Sequence, residues 1–465
     1  MGVCGTGVGA LAGMLKQAGY LVTGSDQHVY PPMSDFLAEC GIQVLSPYSS
    51  SNLEPQPDLV VVGNVITRKN PEARALADLA IPYLSMPQAL SCCFIGDKTS
   101  LVVTGTHGKT TTSSLLASVL HYVGLTPGFM IGGLVKAFGR NFNVAGGVYF
   151  VVEGDEYDTA FFDKGPKFLH YRPQVAIITG IEFDHADIYE DLEAVKVSFR
   201  RLVEIMPADG VIVAYLDDPV VREVLRGAAC RVLSYGERPE FDWSLSGLKI
   251  SAGCTDFKVS RSGQIYGEFK NTLPGRHNAL NSLAVIAVLD YLGLERQAIA
   301  SGIESFAGVR RRQEVRGEVG GVTVIDDFAH HPTAVRETLA ALRGAYDGRR
   351  LITVFEPRTN SSRRRVFQEA YVSCFDDTSL VLIKEPEPLI NVVPDERFSA
   401  RQLVNDLEKR EIDAHYFSNT DEIIAYLSKN KRAGDVVVIL SNGGFDNIHQ
   451  RLLDKFQEDL TDPDS

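Results

Sequence analysis

The sequence predicts an α/β protein of three units, each built on a mostly parallel sheet. Short apolar runs alternate with helical stretches along all 465 residues. The strongest glycine loop stands between a strand and a helix. The length suits about three domains of roughly 150 residues each.

The first unit is placed at 1–97. It has a helix over 10–18 and strands at 21–24 and 59–63. Pro31-Pro32 marks a turn, and Gly96-Asp97-Lys98 interrupts the pattern. The second unit is placed at 98–308. It opens with a strand at 101–103, a glycine loop and a helix over 111–123, and continues through strands at 148–152 and 175–179. A helix after His277 and another over 297–305 close it. Residues 240–272 alternate like a small antiparallel insertion. The third unit, 309–465, has strands at 322–325, 351–355, 380–383 and 436–440 with helices between, and its polar tail from 458 is expected to fray. The outer units read as Rossmann-like and the middle one as phosphate-loop type.

Composition narrows the function. Hydrophobic residues are 45% and charged residues 23%, ordinary for a globular chain. A formal net charge of −13 disfavours general binding to nucleic acid or anionic membrane. No apolar run approaches the roughly 20 residues that span a bilayer. No secretory signal is visible, so a cytoplasmic protein is expected. The seven cysteines are scattered and form no Cys-x-x-Cys pair, which suits reduced thiols.

The most specific motif is Thr104-Gly105-Thr106-His107-Gly108-Lys109-Thr110-Thr111. Glycines let backbone N–H groups close around phosphate oxygens, and the helix that follows favours the anion at its N-terminus. Lys109 is expected on the terminal phosphates and Thr110 on Mg²⁺. Val103 stands where the strict pattern has its first glycine, so the loop is a shortened variant. Acidic clusters follow at Glu153-Gly154-Asp155-Glu156-Tyr157-Asp158 and Glu182-Phe183-Asp184-His185-Ala186-Asp187. Carboxylates at strand ends beside a phosphate loop suit Mg²⁺. His185 reads as a metal ligand or a hydrogen-bonded site residue, although a lone histidine in a loop is more often structural.

Asn278 and Asn281, three residues apart, share a helix face. They suit a purine edge, or Asn278 caps the helix. The clusters Arg310-Arg311-Arg312 and Arg363-Arg364-Arg365 suit phosphate or carboxylate, or are solvated charge. Asp326-Asp327-Phe328-Ala329-His330-His331-Pro332 places two acids and two histidines at a strand end, a good site candidate. Gly2-Val3-Cys4-Gly5-Thr6-Gly7-Val8-Gly9 is like a dinucleotide fingerprint without matching it, and the strand expected before Gly2 is missing.

Taken together and in order, these motifs resemble the Mur ligase family over nearly the whole chain. The resemblance implies a first domain for a UDP-linked muramic acid, a second for ATP and a third for the acceptor. It implies ATP and Mg²⁺ as cofactors and a C–N bond formed through an acyl phosphate. The loop Gly105, Thr106, His107, Gly108, Lys109, Thr110 and Thr111 would hold the phosphates. Asn278 and Asn281 would face adenine, Asp327 the ribose, and Arg311 the γ-phosphate. Thr110 and Glu153 would hold one metal, and Glu153 with His185 a second. Lys109, His185, Arg311 and His330 would lie at the reacting groups. Gly5, Gly7, Ser25, Asp26 and Asn64 would hold the uridine nucleotide. Arg358, Asn360 and Asn442 would meet the acceptor.

Segments such as Glu356-Pro357-Arg358-Thr359-Asn360 and Ser441-Asn442-Gly443-Gly444-Phe445 are most similar to those of members that add a murein tripeptide to UDP-N-acetylmuramate. Members that add L-alanine are the nearest alternative. A phosphate-loop NTPase is the alternative from another class, and an oxidoreductase using the N-terminal glycine turn is a third. A carbamoylated lysine is not carried over, because Lys196 has the wrong spacing from His185.

Overall fold

The computed structural model describes residues 1–251, 253–389 and 392–461. The outermost tail residues, 462–465, for which fraying was expected, lie outside the described residues, and the helix Ile448–Thr461 runs up to them.

A ten-stranded sheet forms the centre of the molecule. From Trp243–Ser251 through Arg231–Gly236, Val211–Tyr215, Val175–Ile178, Thr99–Thr104 and Tyr149–Gly154 to Gly128–Val135, every neighbouring pair is parallel. The reason lies in the residues: Val175–Ile178 and Val211–Tyr215 are apolar on both faces, as a strand covered by helices on both sides must be. The helices Lys109–Tyr122 and Arg276–Tyr291 pack on one face, where Leu115, Leu283 and Ile286 are wholly buried. The antiparallel stretch expected over 240–272 is present as Trp243–Ser251, Cys254–Arg261 and Gln264–Asn271. It is not a separate insertion. Trp243 pairs in parallel with Tyr235 and is buried in the same core, so these strands extend the edge of the central sheet.

The third unit has a six-stranded sheet in the order 314–319, 322–327, 436–440, 351–355, 380–384, 414–417. Its pairs are parallel except at the edge strand Glu314–Val319. The carboxyl ends of Val322–Asp327, Val436–Leu440, Leu351–Phe355 and Leu380–Lys384 thus open on one side, where loops gather. Residues near 308 adhere to the central sheet: Val309 bridges Val135, and the Arg310 N–H donates to Leu134 O at 3.0 Å.

The first unit pairs Thr23–Ser25 with Gln43–Leu45 and Val60–Val62 with Tyr83–Ser85, both in parallel. Met1–Val3 lies between the two ladders. The Met1 amine donates to Val61 O at 2.8 Å, and the Gly2 and Val3 N–H groups donate to Ser25 O at 2.8 and 3.1 Å. All seven cysteines are free thiols, and among the described residues no helix is long and apolar enough to cross a membrane.

Candidate active site

The turn 105–108 joins the strand Thr99–Thr104 to the helix Lys109–Tyr122. Gly105 has φ +124°, and a Cβ there would sit 2.9 Å from Thr179 N and Gly180 O. Only glycine lets the turn lie so close to the next strand. Gly108, at φ +80°, opens the helix. Lys109 Nζ donates to Gly105 O at 2.7 Å and to Glu156 Oε2 at 3.0 Å. Burial alone would lower the ammonium's pKa; the charges of Glu156 and Asp155 outweigh it and raise it, so Lys109 stays protonated.

Thr110 and Glu153 meet beside this lysine. The Thr110 hydroxyl donates to Glu153 Oε2 at 3.3 Å, and the Gly132 N–H donates to Oε1 at 2.7 Å. Burial pushes the Glu153 carboxyl up, and Asp155 adds to it. His185, at φ +54°, lies 3.6 Å from Glu156 Oε1. The acid that faces His185 is Glu156. Glu156 links Lys109 to His185, and sequence reasoning missed its role although it stands in the same acidic run. Lys196 is bound to Glu193 and Glu223, apart from this cluster.

A cavity of about 580 Å³ opens between the second and third units. Its wall includes His107, Thr111, Asn278, Asn281, Arg312 and Asp327. Both asparagines are buried on the helix Arg276–Tyr291. Gly275 is the residue at the helix cap, so Asn278 does not cap; its amide donates to Pro274 O at 2.8 Å and Gln313 Oε1 at 3.2 Å. Asp327 accepts the Gln313 and Ala329 N–H groups, both at 2.8 Å, which ties the arginine turn to the end of its strand.

The arginine triplet divides its side chains. Arg311 donates to Ser441 O at 2.6 Å and Gly443 O at 2.7 Å and pairs with Asp326 at 3.4 Å. Arg312 enters the cavity and donates to the Thr110 hydroxyl at 3.2 Å. The expectation had named Arg311; the residue on the cavity wall is Arg312. Arg311 has φ +59°, a left-handed kink at which the two neighbouring side chains part.

His330 lies against Phe328 O at 3.0 Å, and desolvation lowers its pKa against the pull of Asp184. His331 is buried and begins the helix Pro332–Ala345, its Nδ1 accepting the Thr333 N–H at 3.3 Å.

In the first unit the expected residues cluster around one turn. Gly5 caps the helix Thr6–Gln17, in which Gly7 stands. Asp26 accepts the Cys4 N–H at 2.8 Å and the Tyr48 hydroxyl at 3.4 Å. Ser25 donates to the buried Glu72, which also accepts from Asn52 at 2.7 Å. Asn64 is exposed. On the acceptor side, Asn360 donates to Asp187 at 2.8 Å and the Ala186 N–H donates to Ser361 Oγ at 3.0 Å, so this loop touches the second unit. Arg358 lies 3.6 Å from Glu356 Oε1, and Asn442 Oδ1 is buried without a hydrogen-bond partner among the described residues. Lys384, 2.9 Å from Glu356, belongs to the same group and was not singled out in the sequence, whereas Glu356 opens a quoted segment. Lys384 ends an apolar strand, which is the signal that would have found it.

Three domain models of one family match in series: the Mur ligase family catalytic domain over 1–95, the Mur ligase middle domain over 103–289, and the Mur ligase glutamate ligase domain over 311–443. The chain is 40% identical to the UDP-N-acetylmuramate–L-alanyl-γ-D-glutamyl-meso-2,6-diaminoheptandioate ligase of Escherichia coli, covering 98% of this chain and 97% of that one. It is 32% identical to the UDP-N-acetylmuramate–L-alanine ligase of Caldanaerobacter subterraneus over 98% and 96%. A crystal structure of a murein peptide ligase from Psychrobacter arcticus superposes with a TM-score of 0.72 at 33% identity, covering 98% of both chains. The shortened phosphate loop, the acids at the strand ends and the arginine that crosses from the third unit thus stand in a chain that belongs to the Mur ligase family.

Proposed function

We propose that the protein joins UDP-N-acetylmuramate to the murein tripeptide L-Ala-γ-D-Glu-meso-diaminopimelate with ATP, in the cytoplasm, and that its units divide near 97 and 308. The observation that carries the phosphoryl-transfer chemistry is Arg312. It crosses from the third unit to the phosphate loop, 202 residues away in sequence, at the wall of a cavity large enough for a nucleotide. The tripeptide is favoured over alanine by the 40% and 38% identities to tripeptide ligases against 32% to alanine ligases. A basic group at the third unit's strand ends, Arg358 and Lys384, also suits an acceptor with three carboxylates.

In this reading Asn278 and Asn281 face the adenine, and Lys109 and Arg312 neutralise the γ-phosphate. A buried carboxylate raised in pKa and facing a hydroxyl fits a hard cation, so Thr110 and Glu153 would hold Mg²⁺, with Glu156 and His185 at a second position. Bound there, Mg²⁺ supplies charge neutralisation at the transferring phosphoryl group. The muramoyl carboxylate oxygen attacks the γ-phosphorus and ADP leaves. The acceptor amine then attacks the acyl carbon, loses a proton, and phosphate leaves as the amide forms. Positioning and charge dominate such a transfer, and no side-chain nucleophile is needed. The seam between the second and third units keeps water from the acyl phosphate.

Phosphate release from ATP with Mg²⁺ and UDP-N-acetylmuramate, measured with tripeptide in one reaction and L-alanine in another, tests the reading. Turnover with tripeptide alone is expected. Turnover with alanine alone moves the protein to the alanine-adding members. ATP turnover with neither substrate present makes it an NTPase.

A further inference from the structure

Apart from the Thr110–Glu153 and Glu156–His185 groups, three potential metal donors converge on one point. His107 belongs to the phosphate loop, Glu182 follows the strand Val175–Ile178, and His331 begins the helix Pro332–Ala345 of the third unit. His107 Nε2 lies 3.2 Å from Glu182 Oε2, and His331 Nδ1 lies 3.5 Å from the same oxygen. All three donor atoms fall within 4.8 Å of one another. A tetrahedral ion with ligands at about 2.0–2.1 Å has ligand–ligand edges of about 3.4 Å, so two edges of the polyhedron are already in place.

The surroundings are those of a ligand set. His331 Nε2 faces Phe183 O at 3.2 Å, and a ring N–H donated to that carbonyl leaves the Nδ1 lone pair toward Glu182. Thr333 steadies the carboxylate through its hydroxyl, 2.7 Å from Glu182 Oε2. Among the described residues, the competitor for the Nδ1 lone pair is the long Thr333 N–H bond at 3.3 Å. The rings of His107 and His331 stand 4.5 Å apart, and Glu182 is 41% exposed, so an ion has a way in.

We propose that His107, Glu182 and His331 form a site for a borderline transition-metal ion such as Zn²⁺, which fastens the second unit to the third. Two imidazoles and a single carboxylate favour Zn²⁺ or Co²⁺ over Mg²⁺, which takes oxygen ligands. The fourth position faces the nucleotide cavity, because His107 and Glu182 both line it. The site is independent of the acceptor's identity, and an ion bound there holds the two units in the arrangement seen here.

The test is a Co²⁺ titration of the metal-stripped full-length protein, without nucleotide and with Mg²⁺ in excess, followed by displacement with Zn²⁺. One Co²⁺ per chain is expected, with the visible absorption of a tetrahedral nitrogen–oxygen site. His107→Asn and Glu182→Gln should each weaken binding about tenfold or more. Thermal melts without metal establish that each variant is folded, and Glu182→Gln retains an oxygen for Thr333. Absence of stoichiometric binding overturns the proposal. So does unchanged affinity in both folded variants, or a thiolate charge-transfer band, which would place the ion on cysteine.

Discussion

Two glycine turns open helices in this molecule, and they differ in what surrounds them. Around 105–108, charged groups gather at the turn: Lys109 directly after it, Glu156 from another strand end of the second unit and Arg312 from the third. Around Gly5, the polar groups are satisfied within the first unit. Asp26 is held by the Cys4 N–H and Tyr48, and Ser25 by Glu72. A turn of similar composition becomes a phosphoryl-transfer centre only where the fold converges cations and a metal-ready carboxylate on it. Around Gly5 the fold gathers acceptors instead, and their bonds stay within the first unit.

The largest effect expected from this contrast is at Lys109. Lys109→Ala should lower kcat by about a thousandfold or more, because it removes the charge at the transferring phosphate. Phosphate release at near-normal rate would remove the loop from the chemistry.

The next distinction lies within the arginine triplet. Arg312→Ala should lower kcat by about a hundredfold with the melting temperature little changed. Arg311→Ala should do the reverse. It strips two carbonyls of their donor, leaves Asp326 with Arg316 and His449 alone, and costs about 1–3 kcal/mol of stability, while folded enzyme keeps its rate. Equal kinetic loss in both variants would erase the division of roles. At the first turn, Asp26→Ala should raise KM for UDP-N-acetylmuramate about tenfold and leave kcat in place. A fall in kcat alone would mean that Asp26 acts on the chemistry from the other site.

What could be read in advance follows the same physics. Val175–Ile178, Leu351–Phe355 and Val436–Leu440 were legible because strands buried on both faces are continuous apolar runs. Glu314–Val319 was not, since an edge strand of alternating charge resembles a loop. The phosphate loop was legible because its function is local. Which arginine of the triplet enters the cavity, and which acid of the run faces His185, was not. Each turns on a left-handed residue, Arg311 or His185, that redirects its neighbours. Glu182 and His331 stood in two recognised motifs, yet only the packing of the third unit on the second brings them together.

That seam gives the smallest and most diagnostic effect, in the pH dependence of stability. Burial, with His107 nearby, lowers the pKa of His331 from 6.5 to about 4. Glu182 is lowered from 4.5 to about 2, with bonds from His107 and Thr333 overcoming its burial. Both groups bind protons more readily in the unfolded chain, so each contribution is full above the unfolded pKa and falls with pH toward the folded one. His331 therefore loses its share between about pH 6.5 and 4, and Glu182 between about 4.5 and 2. From pH 7 to 5 His331 alone accounts for about 2 kcal/mol. Urea unfolding with chelator present should show that loss in the parent, added to any from His277, which is also held neutral by burial. His331→Gln, whose amide oxygen can still cap the helix, should flatten the profile by the same amount. An unchanged slope would mean that His331 is as readily protonated in the folded seam as in water, and that the second and third units are not packed closely enough there to keep it neutral.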